Sequence, residues 1–282
     1  MPPSTEIDRA FVRLAEGQVH LRRMEAAAVD EVPLYLIHLS PKSSGMLVPL
    51  MRALREAGCP SALIAPDTLG NGDSAPTPIA VPEIADFADA HLRTMDALGL
   101  EKVDLYGTHT GARIACEIAA GHPSRVRRVV LDGIVDYPEE IKQEILTKYA
   151  PTVEPDEYGR QLMWAFNFVR DQSLHFPYFM RDAEHRINPP AFPSPAQLHD
   201  GVLEVLKALT TYHKSYLAAF RYTARERLPH ITARTAILKP DTEQTMLNES
   251  VEELAALLQN GRPIVTKNGL KGKAQAIYQF IS

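Results

Sequence analysis

The chain is expected to fold as an α/β protein: a mostly parallel eight-stranded sheet with helices on both faces, interrupted once by a helical cap. Three observations carry this expectation. Short apolar runs alternate with segments of helical periodicity along most of the chain, which implies βαβ units and a parallel sheet. The first two strand-like runs lie close enough to make an antiparallel hairpin. Between residues 138 and 228 the alternation stops, and the chain becomes helical and rich in aromatic residues. The organisation that follows is a core of residues 1–137 and 229–282, with residues 138–228 as the cap.

Each element has its own signal. "FVRLAEGQVHLRRMEA" (11–26) reads as two short strands around Ala15-Glu16-Gly17. "VPLYLIHLS" (32–40) is a near-continuous apolar run, as expected of a strand covered on both faces. "GMLVPLMRALREAG" (45–58) has helical spacing, with Gly58 as the residue that stops it. The pattern then repeats: strand 61–66, helix 81–99 with His91 on its apolar face, strand 102–107, helix 110–123 and strand 126–135. After the interruption come strand 234–240, helix 250–261, strand 262–268 and helix 273–282. In such sheets ligands sit outside the carboxyl ends of the strands, so the loops that follow the strands carry the candidate site.

Composition narrows the function classes. With 45% apolar and 23% charged residues, the 282-residue chain is an ordinary globular protein with a sizeable core. A net charge of −5 gives no electrostatic reason to expect nucleic acid or an anionic membrane as partner. The N-terminus has no basic stretch followed by an apolar run, and no apolar stretch approaches membrane-spanning length. Cys59 and Cys116 are expected to be buried small residues rather than a disulfide, as in a reducing cytoplasm. No CxxC or HExxH pattern points to a metal site. Oligomeric state is left open.

Four motifs appear in order. "LIHLSPKSSG" resembles a His-Gly-x-Pro loop, and "APDTLGNGDS" a Pro-Asp-x-x-Gly-x-Gly-x-Ser loop. "YGTHTGA" resembles a nucleophile elbow, and "GHPSRVRRVVLDG" the usual run into the sixth strand. Together they resemble the α/β-hydrolase superfamily across nearly the whole chain, with a cap between the sixth and seventh strands. A dinucleotide-binding fold is the rival, but no strand is followed by Gly-x-Gly-x-x-Gly.

The resemblance breaks at the chemistry. The elbow's central residue is His109, although both flanking glycines, Gly107 and Gly111, are present. Histidine tolerates positive φ better than most residues, so the turn is expected to survive. The backbone N–H of Thr110, with one from Leu39 or Ser40, would then form an oxyanion hole, narrowed by Leu39 where the family usually has glycine. Asp241 or Glu243 stands where the family's acid follows the seventh strand, Glu243 at the commoner spacing. After the eighth strand there is no histidine; Asn268 or Lys271 occupies that place. The ordinary serine–histidine–acid mechanism is therefore excluded in its usual positions.

Three functions fit. The first is a cofactor-independent hydrolase of a small apolar ester, lactone or C–C substrate, using a His109–carboxylate dyad. The second is a lyase, isomerase or oxygenase with His109 as general base. The third is a non-catalytic protein that binds a small molecule in the retained pocket. No cofactor is expected in any of them. His38, Trp164, Phe168 and His175 are candidates for substrate contact, with His199 and His213 as further cap histidines. Asp132 stands at an occasional place for the family's acid. Asp67 and Asp73 are expected to fix their own loop.

Overall fold

The computed structural model describes residues 6–28, 31–187, 192–241 and 248–282. Strand β1 (Asp8–Arg13) pairs antiparallel with β2 (Gln18–Met24), and β2 pairs antiparallel with β4 (Leu63–Pro66). The remaining strands are parallel: β3 (Leu34–Ile37), β5 (Val103–Thr108), β6 (Val126–Asp132), β7 (Arg234–Pro240) and β8 (Gly261–Thr266). The order across the single sheet is β1-β2-β4-β3-β5-β6-β7-β8, the eight-stranded, mostly parallel arrangement expected.

The central strands are buried on both faces, and alternation decides which residue meets which layer. Leu34 and Leu36 of β3 face a cluster with α1 (Val48–Glu56) and the last helix, α10 (Gly269–Ile281). Tyr35 and Ile37 face the opposite cluster, with α2 (Ile84–Ala97) and α3 (Thr110–Gly121). A further helix, α9 (Val251–Ala256), connects β7 to β8. Cys59 and Cys116 are buried and free.

Several helix boundaries differ from expectation: α2 starts at Ile84 rather than 81, and α9 ends at Ala256 rather than 261. The helix expected from residue 45 begins as a 3-10 turn over Ser44–Leu47, and regular α-helix starts only at Val48. Pro49 explains this, because a proline lacks the N–H a helix interior needs and is tolerated in the first turn. The last helix starts at Gly269, four residues before the expected 273. Its first turns contain Gly269 and Gly272, whose weak propensity hides the start from periodicity.

Between β6 and β7 lie α4 (Glu139–Lys148), α5 (Arg160–Gln172), α6 (Pro195–Lys207), α7 (Tyr212–Arg221) and the short α8 (Ala224–Arg227). Their aromatic rings form two clusters, one around Phe168 and Tyr212 and one around Tyr149 and Phe220. This insertion is tied to the loops that follow β3 and β4. Ser40 Oγ donates to Ser215 Oγ at 2.7 Å, Ser43 Oγ to Glu204 at 2.9 Å, and Thr211 Oγ1 to the Gly70 carbonyl at 2.5 Å. Through these bonds α6, α7 and the turn between them meet the loops that follow the carboxyl ends of β3 and β4. Among the described residues no helix is long and apolar enough to cross a membrane.

Candidate active site

The turn from β5 into α3 is built around His109, whose φ of 49° and ψ of −106° lie outside the ordinary regions for an L-residue. Such a conformation costs on the order of 1–3 kcal/mol and persists only where the surroundings over-determine it. Here they do. His109 N donates to the Asp132 carbonyl at 2.7 Å, and its own carbonyl accepts from Ala112 N at 3.0 Å. The flanking glycines are steric requirements: a β-carbon on Gly107 would lie 2.1 Å from the Gly111 carbonyl oxygen, and one on Gly111 2.2 Å from that of Ile37.

The loop after β3 is held by a histidine latch. The Thr68 N–H donates to His38 Nε2 at 2.9 Å, which leaves Nδ1 to carry the proton and donate to the Leu39 carbonyl at 2.8 Å. Burial lowers the pKa of His38, so the neutral tautomer that this pattern requires is the favoured one. Behind it, His91 sits between Tyr35 Oη (3.0 Å) and Thr68 Oγ1 (3.1 Å), and burial brings its pKa down to about 3. Deeper still, Asp67 fixes the loop after β4: its carboxylate accepts from Ser44 N at 2.7 Å and Asp73 N at 2.9 Å, and lies 2.9 Å from His20 Nδ1.

A cavity of about 190 Å³ opens over this turn. Its floor is Leu39, Ser40, His109, Thr110 and Arg113; its walls are Tyr137, Tyr149, Gln172, Phe176, Tyr216, Ala219 and Phe220. Thr110 is the first residue of α3, where backbone N–H groups have no intrahelical acceptor and the helix dipole presents positive charge. Burial raises the pKa values of Tyr149 and Tyr216, so both phenols stay neutral, and Gln172 Nε2 donates to Tyr216 Oη at 3.1 Å.

Of the described carboxylates near the strand ends, Asp241 and Oδ2 of Asp132 are engaged, while Oδ1 of Asp132 is buried with no hydrogen-bond partner among the described residues. Asp241 accepts from the backbone N–H of Asn268 at 3.1 Å, joining the loop after β7 to the start of α10. Asp132 is buried, and its Oδ2 accepts from Tyr106 Oη and from Lys273 Nζ, each at 2.6 Å. Glu243 lies outside the described residues.

A family model described as the alpha/beta hydrolase fold matches residues 32–270. The chain belongs to the α/β-hydrolase family. A 2-hydroxymuconate semialdehyde hydrolase of Pseudomonas sp. strain CF600 is 32% identical over 172 residues, which cover 58% of this chain and 60% of that relative. The chain therefore spans less than two thirds of that relative's length. Among solved structures, a hydrolase from Pseudomonas aeruginosa superposes with a TM-score of 0.69 at 16% identity, covering 98% of both chains. Epoxide hydrolase A from Mycobacterium thermoresistibile gives 0.68 at 18% identity, again over 98% of each. At these identities the superpositions show the fold alone.

Within this α/β-hydrolase, the residues expected at the site fall into two groups. His109, Thr110, Ser40 and Leu39 come together on the cavity floor. The four residues expected to touch substrate do not line it. His38 is buried in its latch. Trp164 stacks on Phe168 at 4.8 Å inside the insertion's own core. His175 pairs with Arg186 in a short antiparallel bridge. The reason is packing: α5 turns its Trp164–Phe168 face toward α6 and α7, leaving the cavity to rings from other segments. Neither His199, on α6, nor His213, on α7, lines the cavity.

Sequence reasoning missed Arg113 and the tyrosine walls. Arg113 left a visible signal, a charged residue in the first turn of the mostly apolar helix "GARIACEIAA". Tyr149 and Tyr216 left none that separates a lining ring from a core ring.

Proposed function

We propose that this α/β-hydrolase is a cofactor-independent hydrolase of a small, largely apolar ester, lactone or C–C substrate. A His109–carboxylate pair stands in for the usual triad, and residues 138–228 form the cap over the site. The observation that carries the reading is His109 itself. It occupies the strained elbow position, its ring borders an aromatic-walled cavity, and the N-terminus of α3 begins at the next residue.

In this reading the imidazole takes a proton from water as the water attacks the substrate carbonyl. The negative charge that develops is met by the Thr110 N–H with one from Leu39 or Ser40, in the field of the α3 dipole. The protonated imidazole then returns its proton to the leaving group. Asp241 or Glu243 serves as the carboxylate that orients the ring. The curated relative's name, a hydrolase, supports the reaction class.

One observation favours a second reading, a non-catalytic ligand-binding protein: the Asp241 carboxylate is engaged with the Asn268 backbone, at the place where the family carries its histidine. Turnover of a panel of esters and lactones in ¹⁸O-labelled water separates these readings. Hydrolysis puts label into the acid product. Turnover without label contradicts hydrolysis and favours proton abstraction, and binding without turnover favours the second reading.

A further inference from the structure

A cation is buried beside the elbow, and among the described residues no carboxylate pairs with it. Arg113 lies in the first turn of α3, is 4% exposed, and contributes to the cavity floor. Its Nη2 donates to the Val135 carbonyl at 2.6 Å and its Nη1 to the His109 carbonyl at 3.2 Å. A guanidinium has five N–H donors, so these two bonds leave most of its capacity unused. Nε is buried and has no hydrogen-bond partner among the described residues.

The neighbouring carboxylates along the chain are committed elsewhere. Glu117, one turn further along α3, is held by Arg227 at 2.8 Å and by Tyr222. Asp136 accepts from the backbone of Ala224 and pairs with Arg225. Among the described residues no carboxylate forms an ion pair with Arg113. The Tyr137 ring, its centroid 5.9 Å from Cζ, offers cation–π attraction, which offsets only part of the cost of burying a charge. The two carbonyl bonds alone would be served by a neutral donor, so they do not account for a cation at this place.

We propose that Arg113 is the anion-binding residue of this cavity, and that its ligand carries a carboxylate on a flat apolar body. A carboxylate matches the planar fork of a guanidinium and gains from the positive end of α3. Tyr137, Phe176 and Phe220 supply flat apolar walls. An apolar cavity of about 150 Å³ holds benzene, so about 190 Å³ suits one ring with its acid group. The inference names the substrate class for the hydrolase reading and rests on that reading only for the bond that is cleaved.

Calorimetric titration of the whole protein with benzoate and with benzamide tests this without requiring turnover. The wild type is expected to bind benzoate at least about tenfold more tightly, as charge-assisted bonds to a buried guanidinium imply. Arg113→Gln keeps a donor for the Val135 carbonyl and removes the charge; it is expected to lose that preference while retaining benzamide affinity. Equal affinities in the wild type overturn the proposal whether or not the variant folds, as does a benzoate preference that survives in Arg113→Gln. Benzoate selectivity without hydrolysis of any ester, lactone or C–C substrate would sink the hydrolase reading alone. Hydrolysis without benzoate selectivity would sink this inference alone.

Discussion

The imidazole of His109 rests on Gly133: a β-carbon built on that glycine would lie 2.8 Å from Cε1 and 2.9 Å from Nδ1 of the ring. Gly133 follows β6 directly and has a φ of +72°, so both its backbone and its missing side chain suit the place. Gly133→Ala is expected to push the ring out of position and to strain the turn. The expected result is a stability loss of about 1–2 kcal/mol with at least a tenfold fall in kcat. An unchanged kcat in a folded variant would mean that the ring's position does not matter to the chemistry.

Core rings and lining rings of the insertion should respond differently. Phe168 is buried among Trp164, Tyr178 and Tyr212, so Phe168→Ala is expected to destabilise by about 3–5 kcal/mol. Phe176 lines the cavity, and Phe176→Leu should raise KM with a smaller effect on stability. Denaturant unfolding alongside steady-state kinetics checks the pair. A KM change confined to the Phe168 variant would invert the assignment.

Asp132 is buried with Lys273 Nζ on its carboxylate. Lys273→Met leaves that charge uncompensated and is expected to cost about 3 kcal/mol. Adding Asp132→Asn should restore part of the loss, which a double-mutant cycle measures directly. Additive effects would show that the pair contributes no coupling.

The latch histidines predict a pH dependence. Burial, with His38 nearby, lowers the pKa of His91 to about 3 from an ordinary 6.5. The unfolded chain therefore takes up the proton first as pH falls. The stabilisation is fully present above about pH 6.5 and is lost progressively toward pH 3, on the order of 5 kcal/mol across the range. Asp67 adds a second, more acidic step. Burial pushes its carboxyl up, but the hydrogen bonds from His20 and the Ser44 and Asp73 N–H groups outweigh this and hold it at about 2. Its contribution is present above about pH 4 and is lost as pH falls through 2. Denaturant unfolding from pH 7 to pH 4 should show a declining free energy whose slope is reduced in His91→Asn. A flat profile in the wild type would contradict this.

Much of the fold was legible because alternation and turn chemistry are local signals. The run at 32–40 and the helix at 110–123 fell near their observed places, and the elbow was readable from Gly107 and Gly111, whose spacing is a steric requirement. The cavity walls were not legible. Trp164, Phe168, Tyr149 and Tyr216 are all aromatic residues of the same insertion, and only the way its helices pack decides which rings face the cavity. Lys273 was hidden for a related reason: its partner Asp132 is distant in sequence and becomes a neighbour only when α10 packs against the sheet.

The central claim is that His109 does chemistry at the elbow. Its most direct test is the kcat/KM of His109→Ala and His109→Ser, against wild type, on whichever ester or lactone the wild type hydrolyses. At least a hundredfold loss is expected in both variants, with melting temperatures close to wild type. A serine at the elbow should not rescue activity, because no histidine follows β8 to activate it. Full activity in His109→Ala would remove His109 from the mechanism and contradict the account.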